Sequence, residues 1–323
     1  MLTTLIGILA IAYLGACLFL VAWQRKIIFF PSNVLEKTPQ DLGLDHEEVW
    51  LQVGEMRLHG WWLPLSLLNK ESLKTATKRQ TESRESNFES QFLSPLSLKS
   101  ATQKEETEQN KVLLFLHGNG ENIAANLNKA KIFQELGFSV LLIDYRGYGL
   151  SEGEFPSESQ VYEDAQAAWN YLTQDRNIAP ENIIIYGHSL GGAIAINLAV
   201  QHPEAAGLIV EGTFTSIQDM AKYQKIYQIF PLSLILHQKF DSINQLKSLK
   251  IPILLIHGTA DDVVPYVMSQ ILFDSAKVPK RILLVPQADH NNVATLGGET
   301  YRQSIHDFSD LIIALKRNKV GVK

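Results

Sequence analysis

Ile183-Ile184-Ile185-Tyr186-Gly187-His188-Ser189-Leu190-Gly191-Gly192, continuing through Ala193 to Gln201, decides the fold of this 323-residue chain. The four large apolar residues read as a buried strand over 183–186, and the alanine- and leucine-rich continuation reads as a helix over 191–201. Between them stands a glycine–x–serine–x–glycine turn. A serine forced into so tight a strand-to-helix turn takes a strained backbone, so the residues two away on each side must be small, as Gly187 and Gly191 are. Its hydroxyl then stands proud of the sheet's carboxyl edge, at a helix N-terminus whose dipole favours a developing anion. A helix-capping serine is the plainer reading of Ser189, but the strand on one side and the two glycines argue against it.

Outward from this turn, strand and helix alternate without a break. Val112–Leu116, Ser139–Ile143 and residues 208–210, 253–256 and 282–285 are short β-branched or leucine-rich runs. Helical patterns fall over 123–136, 159–173, 267–276 and 300–316. Continuous apolar strands separated by helices predict a parallel sheet covered on both faces. Two earlier strands, Glu47–Val53 and Met56–Leu63, joined near Gly54, bring the count to eight. Residues 68–110 break the pattern. They are rich in Ser, Thr, Lys, Glu and Gln, and read as a disordered insertion that cannot bury enough apolar surface to offset its ordering entropy. Phe88, Phe92 and Leu93 are the one hint there of a partner-binding arm.

The formal net charge of −5 provides no basic field for nucleic acid. Cys17 is the single cysteine, so no intrachain disulfide forms. Residues 1–23 carry no charged side chain, and a helix of about 22 residues rises about 33 Å, enough to cross a bilayer's hydrocarbon core. The reading is a single-pass anchor over 1–23, a juxtamembrane segment over 24–44, a catalytic domain over 45–316 and a tail over 317–323. A cleaved signal peptide fits less well, because no basic run precedes the apolar stretch and no small-x-small site follows it. Leu14-Gly15-Ala16-Cys17 looks like a lipoprotein box, but the apolar run continues through Trp23. Arg25 and Lys26 at the helix end put the remainder in the cytoplasm by the positive-inside rule, with an anchor of the opposite sense as the competitor.

The chain resembles the α/β-hydrolase superfamily over about residues 45 to 316. More narrowly it is similar to the membrane-anchored branch that includes animal α/β-hydrolase domain-containing protein thirteen and its fungal and bacterial relatives. The residues that carry the resemblance begin with Gln24-Arg25-Lys26-Ile27-Ile28-Phe29-Phe30-Pro31, Gly60-Trp61-Trp62-Leu63-Pro64 and His117-Gly118-Asn119-Gly120. Asp144-Tyr145-Arg146-Gly147-Tyr148-Gly149, Glu211-Gly212-Thr213-Phe214-Thr215-Ser216, His257-Gly258-Thr259-Ala260-Asp261 and His290-Asn291 complete them. The resemblance implies an eight-stranded, mostly parallel sheet with helices on both faces and a short cap, preceded by one transmembrane helix. It implies acyl transfer to water through Ser189, Asp261 and His290, with the N–H groups of Asn119 and Leu190 as the oxyanion hole.

Each assignment has an alternative. The family pattern places the acid four residues after the histidine of His257-Gly258, which selects Asp261 over Asp262. His290 is the single histidine between the last strand and the final helix, and Ser–Asp–His is the chain order of the superfamily. Relatives commonly carry His-Asn-Asp where this chain has His290-Asn291-Asn292. Asp144–Gly149 with Gly153 echoes a dinucleotide fingerprint, but the last spacing is one residue too long. His46, His59, His202, His237 and His306 read as surface or packing residues, whereas His117, His188 and His257 brace the site by family precedent. No His-Glu-x-x-His spacing occurs, so neither metal nor cofactor is expected.

Residues 213–250 are the expected cap, with an apolar middle in which Phe230 and Leu234 are candidate linings for an acyl chain. Glu211 ends a strand at the catalytic edge and is a candidate substrate contact. The substrate class this suggests is a small-molecule or lipid-like acyl ester or thioester, or an acylated protein. An aminopeptidase-like amide hydrolase and a catalytically silent, membrane-anchored binding protein are the competing readings. The fold alone does not choose the bond that is cleaved.

Overall fold

The computed structural model describes residues 1–65, 111–120 and 122–320. The insertion expected over 68–110 and the end of the expected tail, 321–323, lie outside the described residues. The hairpin β1 (Glu47–Val53) and β2 (Met56–Leu63) leads into β3 (Val112–Leu116), β4 (Ser139–Ile143), β5 (Ile183–His188), β6 (Gly207–Glu211), β7 (Ile253–Gly258) and β8 (Lys280–Val285). They form one eight-stranded sheet in the order β1-β2-β4-β3-β5-β6-β7-β8. The β1–β2 and β2–β4 pairs are antiparallel and all others parallel, so β2 alone runs against its neighbours. This is the α/β-hydrolase fold.

The central strands β3 to β7 are almost wholly buried because each faces a core on both sides, whereas the edge strands β1 and β8 leave Glu47, Glu48 and Arg281 exposed. Leu114 and Leu116 join Ile183 and Ile185 beneath α3 (Glu158–Asn170) and α4 (Leu190–Gln201). Leu113 and Phe115 point the other way, with Ile184 and Tyr186, toward Phe133 of α2 (Leu127–Glu135) and Tyr301 and Phe308 of the last helix. That period-two division is what a pleated strand imposes. The cap contains three short helices, α5 (Ile217–Tyr223), α6 (Leu232–Ile235) and α7 (Ser242–Gln245). Helix α8 (Val267–Ser275) precedes β8, and α9 (Val293–Val320) follows it with a break at Gly298, where φ is 47°.

The first helix departs from the expected boundary. Helix α1 (Leu2–Ile28) is long and apolar enough to cross a membrane, but it runs five residues past 23, and the segment after it is built into the domain. Gln24 is buried, and its side-chain amide donates to the Ile235 carbonyl, while its oxygen accepts from the N–H groups of His237 (2.8 Å) and Gln238 (3.3 Å). Phe29 has no exposed surface and meets Phe240 edge-on at 6.1 Å. Leu35, Leu42 and Leu44 pack onto the core beneath α2 and α9. Residues 24–44 are therefore part of the globular body, because their apolar side chains find partners in it.

The Gln24 contacts satisfy three cap backbone groups, the Ile235 carbonyl buried and the His237 and Gln238 N–H groups part-buried. Leaving such groups unpaired costs about 1–3 kcal/mol. Gln24→Ala should lower the melting temperature and open residues 224–238 to limited proteolysis. An unchanged cleavage pattern would mean that the cap is held in place without Gln24.

Candidate active site

Ser189 sits between β5 and α4 with φ 55° and ψ −120°, a region a side chain occupies only under constraint. Its N–H donates to the Glu211 carbonyl at 2.8 Å, and its own carbonyl accepts from the Gly192 N–H and the Thr213 hydroxyl, both at 2.9 Å. The flanking glycines are there for clearance. A Cβ on Gly187 would lie 2.2 Å from the Gly191 carbonyl oxygen, and one on Gly191 would lie 2.2 Å from the Leu116 carbonyl oxygen.

The loops after β7 and β8 bring Asp261 and His290 together. His290 Nδ1 lies 2.7 Å from Asp261 Oδ2, and the other Asp261 oxygen accepts the N–H groups of Val263 (2.9 Å) and Val264 (2.7 Å). Burial works against the Asp261 carboxylate, but His257, 3.1 Å away, and His290 outweigh it and hold its pKa below the ordinary value. Asp262 is exposed and Asp289 caps the turn, accepting from the N–H groups of Asn291 and Asn292. The Asn292 amide donates to Asp289 at 2.6 Å, a contact that an aspartate at 292 would turn into repulsion between like charges. Ser189 Oγ makes no hydrogen bond to His290 here, a bond that in unliganded sites often tightens only when substrate binds.

Ser189, His188 and His290 share a cavity of ≈ 590 Å³ with Gly118, Asn119, Asn126, Asn128, Lys129 and Asn291. Leu190 opens α4, so its N–H is one of the four that a helix leaves without an internal acceptor. The loop carrying Asn119 is pinned from outside: Tyr148 donates its hydroxyl to the Asn119 carbonyl at 3.0 Å, and the Phe30 N–H donates to Asn119 Oδ1 at 3.0 Å. His117 is buried in the loop after β3 and His257 near the end of β7. His188 presents Nε2 to the His290 carbonyl at 3.1 Å, and burial drives its pKa down to about 3, with the Lys129 charge adding to the effect.

Three expected substrate contacts fall elsewhere. Glu211 has no exposed surface: Lys129 Nζ lies 2.7 Å from one oxygen, while Tyr186 (3.0 Å) and Tyr301 (2.8 Å) donate to the other. Burial opposes the Glu211 charge, but the Lys129 ammonium prevails and the pKa is held at about 2. Leu234 is exposed because the single turn of α6 spends Leu232 and Ile235, three apart, on the inner face. Phe230 is half-buried against Tyr13 of α1 and does not line the cavity that holds Ser189. The site residues that sequence reasoning missed are Lys129 and the amides of Asn126 and Asn128. Nothing in a helical pattern over 123–136 distinguishes a residue facing a cavity from one facing solvent.

A serine at a strained strand–helix turn, a histidine bonded to a buried carboxylate and a shared cavity define a serine hydrolase of the α/β-hydrolase class. Residues 107–242 match the family model described as Hydrolase_4: Serine aminopeptidase, S33. Protein bem46 of Schizosaccharomyces pombe is 36% identical over 219 residues, covering 64% of this chain and 69% of its own. The α/β-hydrolase domain-containing protein WAV2 of Arabidopsis thaliana is 29% identical over 322 residues, covering 93% and 92%. Pyrococcus furiosus esterase Pf2001 shares the fold at TM-score 0.62 and 18% identity, over 87% of this chain and 97% of its own. The chain belongs to the α/β-hydrolase superfamily, in the branch of bem46, WAV2 and the relatives of α/β-hydrolase domain-containing protein thirteen.

Two measurements probe this geometry. Asp261→Asn should slow turnover about 10⁴-fold by leaving His290 in the wrong tautomer, while Asp262→Asn should cost little; kcat values that trade places would reassign the acid. The second concerns stability. The folded pKa of His188, about 3, lies below the ordinary 6.5, so the native state refuses a proton that the unfolded chain accepts. That contribution is complete above about pH 6.5 and is lost as the pH falls toward 3. Buried His117, also lowered, acts in the same sense. His188→Asn should therefore flatten, without abolishing, the fall of Tm between pH 6.5 and 4.5, and an unaltered slope would assign the acid sensitivity to other groups.

Proposed function

We propose that the protein is a membrane-anchored serine esterase or thioesterase acting on apolar acyl groups, for which Ile132, Val263 and Ala294 are the apolar part of the cavity wall. The observation that carries this reading is the 2.7 Å bond from His290 Nδ1 to buried Asp261, beside a serine on the wall of the same cavity. Ser189 attacks the carbonyl while His290 Nε2 takes its proton. Asp261 keeps the imidazole in the tautomer that leaves Nε2 free and stabilises the cation that forms. The oxyanion takes the N–H groups of Asn119 and Leu190, and water activated by His290 then releases the acyl group. The cycle calls for no metal or cofactor. Helix α1 serves as the anchor, and Arg25 and Lys26 at its end favour a cytoplasmic catalytic domain.

The family's description as a serine aminopeptidase raises a peptidase reading. Recognition of a free amine needs an unspent carboxylate in the site, and Glu211 is already paired with Lys129. Glu211 does not reach the Ser189 cavity, whose lining includes no aspartate or glutamate among the described residues. The polar wall of Asn126, Asn128 and Asn291 suits a neutral or hydroxyl-bearing leaving group better than an ammonium.

Ser189→Ala should abolish fluorophosphonate labelling and lower p-nitrophenyl ester turnover by about 10⁶. In the wild type kcat/KM should rise with acyl length by up to roughly tenfold per two carbons, since each buried methylene is worth about 0.8 kcal/mol. Aminoacyl amides should be far poorer substrates. Faster cleavage of amides than of esters would move the protein to the peptidases, and persistent activity of the alanine variant would unseat Ser189.

A further inference from the structure

The cap does more than cover the sheet: it climbs the apolar helix. Tyr13, midway along α1, donates its hydroxyl to the Ile229 carbonyl at 2.8 Å and stacks on Phe230, with ring centroids 5.8 Å apart and planes 9° from parallel. Gln24 anchors the cap again at Ile235, His237 and Gln238. The rise from Tyr13 to Gln24 is about 16 Å along the helix axis, roughly half the thickness of a bilayer's hydrocarbon core. If the cap stayed wholly in water beside α1, the length of helix left for lipid would be residues 2–12, about 16 Å, which is too short to cross.

The outer surface of the cap fits the same placement. Ile226 is 70% exposed, Ile229 66% and Leu234 78%, with Tyr223 beside them. Scattered exposed apolar residues are ordinary, but these come from one short stretch that continues the apolar surface of α1. Between helix and cap lies a cavity of ≈ 380 Å³ whose walls include Leu20, Ile27, Ile28, Met220, Leu232 and Ile235. Walls of that composition offer water few hydrogen-bond partners and suit hydrocarbon chains. Lys222, paired with Asp219 at 3.3 Å, and Lys225 are exposed, with flexible stems long enough to keep their charges among phosphate headgroups.

We propose that the tip of the cap, residues 223–236, is seated in the bilayer against α1, so that the protein holds the membrane by a helix and an embedded loop together. The occupant of the exposed apolar surface is lipid. The inference rests on α1 entering the membrane, and the experiment separates the two.

Cys17 is the sole cysteine, so Cys17→Ala allows single nitroxide labels on the full chain reconstituted in phosphatidylcholine vesicles. Labels are placed through Ile226→Cys, Ile229→Cys or Leu234→Cys in the cap, Leu9→Cys in α1, and Glu299→Cys as an exposed aqueous reference. Collision with oxygen, which concentrates in lipid, is compared with collision with a water-soluble nickel chelate, and Tm confirms that each variant folds. The expected result is that the cap labels behave like Leu9, dominated by oxygen, with the opposite profile at Glu299. Nickel-dominated collisions at Ile229 and Leu234 with a lipid profile at Leu9 would overturn the embedded cap and leave the anchor standing. A water profile at Leu9 as well would remove both. Cap labels shielded from both reagents would also overturn the proposal, since a protein partner would then cover the patch.

Discussion

The backbone of Ser189 is the constraint on which the rest of this structure depends. Holding a residue with a side chain at φ 55° and ψ −120° costs on the order of 1–3 kcal/mol, and it persists because every neighbour enforces it. The Glu211 carbonyl takes the serine N–H, Thr213 and Gly192 take its carbonyl, and Gly187 and Gly191 let β5, β3 and the first turn of α4 approach within a distance no Cβ would allow. The turn thus locks the order β3-β5-β6 at the sheet's centre. That arrangement delivers the loops after β3, β5, β7 and β8 to one edge, where Asn119, Ser189, Asp261 and His290 are found.

Beneath the serine lies a second, purely electrostatic arrangement. Glu211 pairs with His188 across the β5–β6 ladder, and its carboxylate is buried with a lysine and two tyrosine hydroxyls around it. A buried ion pair is a weak source of stability, because desolvation offsets much of the attraction. What it accomplishes locally is clearer. It satisfies Lys129 on the cavity wall, so that the wall presents amides rather than a free charge, and the Lys129 charge helps keep His188 neutral beside His290. A cationic His188 would stand 5.0 Å from the His290 ring and oppose its protonation.

The strands, their two-faced burial and the elbow were legible because they are local patterns: runs of Ile and Leu bounded by glycine, and small residues at fixed offsets from Ser189. The pairing of Asp261 with His290 was legible only through the family pattern, since 29 residues separate them and nothing local distinguishes Asp261 from Asp262. Glu211 misled for a reason of distance. Its partners Lys129, Tyr186 and Tyr301 lie 82, 25 and 90 residues away, so a carboxylate at the catalytic edge resembles an open contact until the helices are in place. Leu234 misled because an apolar run in a one-turn helix has an outer face as well as an inner one. The boundary at residue 23 followed the first charges, whereas the structure follows burial, which resumes at Gln24 and Phe29.

That resumption gives the N-terminal segment a structural part in the domain. Within seven residues, Gln24 fastens the cap, Arg25 donates to the Pro156 carbonyl, Phe29 fills the core against Phe240, and the Phe30 N–H holds the side chain of Asn119. Two residues on, the Ser32 carbonyl accepts from the Gly149 N–H and from Asn122. These contacts join the helix end to the cap on one side and to the loop beside Ser189 on the other. A backbone N–H is a fixed donor, so any shift of α1 along its axis displaces Phe30 and with it the acceptor on Asn119. Rigid coupling of this kind makes the position of the helix part of the geometry of the cavity, which a flexible linker of the same length would not do.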